Sequence, residues 1–308
     1  MCAVFPGGLM SRCRRWVVSA MAALATATGM SMSVSEQAAP TIRVMLLDGE
    51  SAGPYHNWRL TTPVLRRELE EAGLFQVDVV TAPPAGSDYS TFHPRWSDYR
   101  VVVFNYDAPD ERWPADLKKS FEEYMSGGGG LVVVHAADNA FPKWQAWNEM
   151  TGLGGWRGRT GSHGRRIPFA ITRRAEHPIT KGLPPSWMHQ GDELYANLEG
   201  PARNMTVLAT ARSDPANNGS GRDEPMLMVL SFGKGRVFHT TLGHDVAALS
   251  SVDFVVTFQR GAEWAATGSV TQQLPQDFPS ANAVSYRADL AAMDPAAYRK
   301  GLNPLDGG

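Results

Sequence analysis

Five histidines, His56, His135, His163, His189 and His244, fall where the hydropathy pattern puts loop tips or strand ends. Imidazoles combined with carboxylate or amide oxygens are the donor set of zinc, manganese or non-haem iron sites, and Asp107, Asp138, Asp192, Glu193 and Asp245 are placed to complete one. No HExxH, HxH or other compact ligand motif is present, so such a site would have to be assembled from distant segments. The competing reading is that the imidazoles serve only the fold, as hydrogen-bonded structural groups. Asp192-Glu193 is a second candidate, as ligands or as an acid and base pair. In a strand the two side chains point to opposite faces, so at most one meets a given pocket, and a solvated surface pair is the alternative.

Other chemistries find less support. Ser162-His163 invites a serine hydrolase reading, but no GxSxG elbow exists in the chain. The four glycines at 127–130 precede a strand, whereas phosphate cradles follow a strand and open a helix; they read as a tight turn. The first strand runs into LLDGESAG without GxGxxG spacing, so no nucleotide cofactor is expected. A net charge of -2 offers no basic surplus for phosphates, which argues against nucleic acid as a partner. Trp58, Trp144, Trp147 and Trp156 lie near the candidate polar residues, and flat apolar rings beside polar groups suit a small-molecule carbohydrate. Ordinary core packing accounts for at least part of that set.

The elements that must position these groups follow a β-α-β order. The run Leu131 to Val134 has no polar alternation, as in a central parallel strand buried on both faces, and it delivers His135 to a carboxyl end, where open α/β sheets hold their ligand crevice. Strands are expected at 41–47, 75–80, 99–104, 169–172, 205–210, 225–232 and 235–241, the last two forming a hairpin across Gly233-Lys234-Gly235. Helices are expected after Thr62-Pro63, after Pro114, and over 253–266. Residues 177–187 read as a turn-dense connection, and those after Gly268 as a tail that wraps the domain or is partly disordered.

Residues 1–39 differ from the rest. Arg12, Arg14 and Arg15 precede an apolar run to Met30 and then a small, polar stretch, the pattern of a secretory signal peptide. A periplasmic or secreted protein is expected, with no membrane association after signal removal. Both cysteines, Cys2 and Cys13, lie in this leader, which leaves the mature chain without thiol chemistry.

Several stretches in this order, YHNW, VVVFNYDAPD, EEYMSGGGGLVVVHAADNAF, GSHG, EHPITKGLP, GDELYANL and DEPMLMVLSFGKGRVFHTTLGHD, resemble the ThuA-like family, named for trehalose utilisation. The resemblance covers about residues 42 to 268. It implies a three-layer α/β/α, flavodoxin-like and mostly parallel sheet similar to class I glutamine amidotransferases, in a domain spanning 40–268 with a tail at 269–308. Those amidotransferases carry a nucleophilic cysteine after the strand matching Leu131 to Val134. Here His135-Ala136 occupies that place, so glutamine hydrolysis is not expected. Carried over position by position, the polar pocket would include His56, Asn105, His135, Asp138, His163, Asp192, Glu193 and His244. The resemblance leaves the ligands among them open; the expected roles are a divalent ion held by two or three of His56, His135, His163 and His244, catalysis by His135 with Asp192 or Glu193 as proton carrier, and substrate binding by Asn105, Asp138, Trp58 and Trp144. The expected activity is on a glucoside or keto-glucoside, by metal-assisted or His-carboxylate acid-base catalysis; the alternative is a sugar-binding protein without turnover.

Overall fold

The computed structural model describes residues 41–51, 56–156 and 161–294, all within one compact unit, Ala39–Gly308. The expected leader lies outside the described residues. In chain order the elements are β1 (Ile42–Asp48), α1 (Trp58–Glu71), β2 (Phe75–Thr81), β3 (Val101–Phe104), α2 (Ala115–Gly127), β4 (Gly130–Val134), α3 (Gln145–Thr151), β5 (Ser162–His163), β6 (Ile167–Arg173), β7 (Ser186–Asp192), β8 (Tyr195–Ala196), β9 (Thr206–Arg212), β10 (Asp223–Phe232), β11 (Gly235–Thr240), α4 (Val246–Leu249), α5 (Val252–Thr267) and α6 (Ala288–Ala291).

Nine strands form one sheet in the order β2-β1-β3-β4-β11-β10-β9-β6-β7. The first five run parallel, and the other four extend the sheet antiparallel from the β10–β11 hairpin. The parallel part has the flavodoxin-like order 2-1-3-4-5. Its inner strands β1, β3 and β4 are buried as continuous runs because both faces are covered, whereas edge strand β2, FQVDVVT, alternates. Val44, Leu46, Val101, Val103, Val132 and Val134 pack with residues of α1 and α5, while Met45, Leu47, Val102, Phe104, Leu131 and Val133 join the aromatic layer of α2 and α3. The three-layer architecture that the resemblance implies is the one observed. Among the described residues no helix is long and apolar enough to cross a membrane.

The turn into β4 requires its glycines. Gly128 caps α2 at φ +115°, and a Cβ on Gly129 would overlap the Tyr124 ring at 2.3 Å. This close fit brings α2 directly onto the strand that ends at His135.

Two of the departures from the expected elements bear on the site. Helix α1 begins at Trp58, four residues before Thr62, because the Asn57 side chain accepts from the Arg59 amide and caps an earlier turn. Pro63 is exposed, so its ring faces outward, and the carbonyl it cannot serve belongs to Arg59, also exposed. Strand β7 arises within a stretch where no strand was expected. Its sequence, SWMHQGD, has little β-branched or alternating character; burial comes from pairing with β6 and from the tail crossing its other side. There Met188 donates its amide to Ser280, and Trp187 meets Phe278 at 5.7 Å between ring centroids. Residues 269–294 thus lie against the edge of the sheet.

Candidate metal centre

The parallel strands end on one side of the sheet, and the candidate histidines sit just beyond them. His56 follows the β1 loop, His135 follows β4, and His244 lies four residues past β11. Glu193 directly follows β7 and reaches into the same space. One donor atom from each of these four residues lies within 4.8 Å of all the others. The Glu193 Oε2 atom is 3.0 Å from His244 Nδ1, 3.5 Å from His135 Nε2 and 3.7 Å from His56 Nε2. His163 stands beside the group, its Nε2 3.5 Å from the other carboxylate oxygen, Oε1. Strand β5 brings it there by pairing with β8, opposite Tyr195. The Tyr195 ring lies tilted over His135, 4.1 Å between centroids, and its hydroxyl is 3.2 Å from His56 Nε2.

Protons on these rings follow from their other partners. His135 Nδ1 lies 2.7 Å from the Thr241 carbonyl oxygen, which can only accept, so that nitrogen donates. In the neutral ring the lone pair is then on Nε2, which is buried and has no hydrogen-bond partner among the described residues. His163 is oriented in the same way by the Gly164 carbonyl at 2.7 Å. His135 itself has φ +46°, in the left-handed region that a non-glycine residue occupies only when its surroundings hold it there. Burial opposes ionisation of Glu193, but the imidazoles of His135, His244 and His56 outweigh it and hold its carboxyl well below the usual range. Burial and the nearby carboxylates of Glu193 and Asp138 push the Tyr195 phenol well up.

An ionised carboxylate facing imidazole nitrogens is satisfied either by protons on the rings or by a shared cation. The donor chemistry fits a cation. The separations of 3.0, 3.5 and 3.7 Å bracket the edge of about 3.3 Å expected for a tetrahedral zinc site. A ligating histidine also typically donates its other N–H to a carbonyl, as His135 does to Thr241.

The family described as trehalose utilisation, ThuA, matches residues 43–265, nearly three quarters of the chain and every member of this cluster. The chain belongs to the ThuA family. It is similar to a ThuA-like protein from Parabacteroides merdae whose crystal structure is known, with 40% identity, a TM-score of 0.77, and coverage of 82% of this chain and 99% of that one. A second ThuA-like crystal structure, from Bacteroides uniformis, is 20% identical with a TM-score of 0.56, covers 76% of this chain and 96% of its own, and shares the fold. No curated protein matches the chain.

The other predicted site residues of this ThuA-family chain have partners of their own. Asp192 is fully buried behind Glu193, as expected if adjacent side chains take opposite faces. Asn105 joins the end of β3 to α1, donating to the Thr61 and Thr62 hydroxyls. Asp138 is buried with its carboxylate 3.4 Å from His239 Nε2, and Asp107 is buried as well. Asp245 caps α4 and pairs with Arg166. Trp58 starts α1 under the Arg59 guanidinium, 4.3 Å from its ring centroid. Trp144 is not brought to the cluster: it packs on Trp147 and Phe141, and its indole N–H donates to Glu122 at 2.6 Å.

Three participants were not assigned roles from the sequence. Tyr195 stands inside the GDELY segment, so proximity to Glu193 was a usable signal. His239 lies within the apolar hairpin strand, and Asp253 opens helix α5; nothing in their local sequence marks either. His189 sits between the Asp192 and Asp253 carboxylates. Burial alone would lower its pKa, but the charge of Asp253 and the hydrogen bonds the ring donates to both carboxylates raise it to about 10.

Proposed function

We propose that this ThuA-family protein is an exported enzyme that uses a divalent ion, zinc, manganese or iron, to act on a trehalose-like glucoside or its keto derivative. The observation that carries the reading is the His135 ring, whose buried Nε2 is turned toward the Glu193 carboxylate by the Thr241 carbonyl. The family's description, trehalose utilisation, supports the substrate class, and the leader pattern supports export.

In this reading His56, His135, His244 and Glu193 hold the ion. When bound, it supplies a Lewis acid able to polarise a sugar carbonyl or hydroxyl. Glu193 thereby takes a ligand place for which His163 was a candidate, and His163 takes the proton-carrying role. The geometry supports the exchange: Glu193 Oε2 faces three imidazole nitrogens, while His163 approaches the second oxygen and is the more exposed side chain. Tyr195 lies over one face of His135, and its hydroxyl, 3.2 Å from His56 Nε2, would be released to meet substrate once that nitrogen holds the ion.

The test is elemental analysis of the purified protein, together with incubation with trehalose and keto-trehalose followed by mass spectrometry. About one ion per chain is expected, with conversion that a chelator abolishes. A protein that holds no ion and converts neither sugar would overturn the reading. Sugar affinity without conversion, indifferent to chelator, would make it a binding protein instead.

A further inference from the structure

Asp192 was expected to share the chemistry with Glu193, but its surroundings exclude contact with a substrate. The carboxylate is fully buried and its acceptor capacity is used. Oδ1 accepts the Glu193 amide at 2.7 Å and the His244 amide at 3.1 Å. Oδ2 accepts the Gly243 amide at 2.7 Å and faces His189 Nε2 at 3.1 Å. Two of these amides belong to the residues whose side chains make the shortest contact in the cluster, Glu193 Oε2 and His244 Nδ1.

We propose that Asp192 is a positioning residue that sets the metal donors Glu193 and His244 by gripping their backbones, with His189 and Asp253 as its anchor. The inference rests on the metal reading above. The clamp bridges segments that sheet pairing alone leaves apart, since β7 and β11 are four places from each other in the strand order. Gly243 makes the grip possible. Its φ of +109° turns two successive amides toward one carboxylate, and a Cβ there would press on Leu249 and Phe254 at 3.0 Å. Behind the clamp, both His189 nitrogens face carboxylates, 3.1 Å from Asp192 and 2.9 Å from Asp253. Asp253 is itself fixed in the first turn of α5 by the Trp187 indole at 2.9 Å and the Ser251 hydroxyl at 2.5 Å. An unbroken row of hydrogen bonds thus runs from the start of a core helix to two donor residues, as outer partners of metal ligands commonly do.

The experiment titrates the metal-free full-length mature protein with Zn2+, and with Co2+ for its visible d–d spectrum. Asp192→Asn preserves shape but replaces one acceptor oxygen by a donor, so at least one gripped amide loses its partner. Zn2+ affinity is expected to fall about 10- to 100-fold with a changed Co2+ spectrum. His189→Gln, which leaves the carboxylate in place, should shift both in the same direction by less, and it serves if Asp192→Asn does not fold. Met125→Ala removes a buried side chain of α2 beside Gly235, where β11 begins and so at the far end of that strand from the clamp, and lowers the melting temperature without touching it. It should keep wild-type affinity and spectrum. Unchanged affinity and spectrum in the foldable clamp variant would overturn the proposal, as would an equal loss in Met125→Ala. Failure of the wild-type protein to bind either ion would instead overturn the metal reading, and this inference with it.

Discussion

His135 donates its Nδ1–H to the carbonyl oxygen of Thr241 across 2.7 Å, linking the end of β4 to the turn after β11. The bond fixes which nitrogen of the ring faces the centre of the cluster. Removing the ring by His135→Ala, or the charge by Glu193→Gln, should therefore lower metal affinity beyond the 10- to 100-fold typical of outer partners and reduce turnover in parallel. Metal analysis with kinetics on the same preparations checks this; wild-type turnover in His135→Ala is incompatible with the arrangement.

Much of this site was legible before the structure. His135 follows an apolar run whose lack of alternation marks a strand covered on both faces, and such strands end at the ligand edge. What the sequence withholds is direction. Asp192 and Glu193 are neighbours of like chemistry, yet one turns to backbone amides and the other to imidazoles. The difference depends on how β7 pairs, and SWMHQGD carries no strand period. Trp144 shows the converse limit: polar neighbours in sequence do not keep a ring out of an aromatic layer when Phe141, Trp113 and Trp147 surround it.

A second prediction concerns Glu68, fully buried on the inner face of α1 with neither carboxyl oxygen hydrogen-bonded among the described residues. Burial raises its pKa well above 4.5; Arg287 opposes the shift and Glu71 adds to it. Because the folded-state value is raised, its favourable contribution is complete below about pH 4.5 and is lost as pH climbs toward the folded pKa. The loss is about 1.4 kcal/mol for each pH unit within that window. Glu68→Gln removes the titration, so its stability relative to wild type should increase steadily from pH 4.5 upward in denaturant titrations. A difference that stays constant with pH would rule out a shifted Glu68.

The tail supports the edge of the sheet that carries Asp192. Beyond Met188–Ser280 and Trp187–Phe278, Val252 donates to Ser285, and Thr271 donates to the Glu263 carboxylate through both amide and hydroxyl. Ending the chain after Gly268 would uncover Trp187, whose burial is worth a few kcal/mol, and leave β7 with an open edge. Thermal melting should show a fall of several degrees or more, and light scattering should show association. A truncated chain that melts like the full one would mean these contacts add nothing.

The last prediction separates His163 from the ligands. Its Nδ1 is turned to the Gly164 carbonyl, and its Nε2 approaches Glu193 Oε1, whereas the other three rings approach Oε2. It also lies on the two-residue strand β5, outside the main sheet, whereas His135 and His244 are held beside the ends of central strands. Loss of the ring should therefore remove proton transfer while the four donors stay in place. His163→Ala is expected to bind Zn2+ within a few-fold of wild type and to lose about 10²- to 10⁴-fold in turnover, the usual contribution of a general acid or base. Metal titration and single-turnover kinetics read the two effects separately. If metal affinity collapses instead, His163 is a ligand, and the proton must be carried by another group such as Tyr195, whose hydroxyl already lies 3.2 Å from His56.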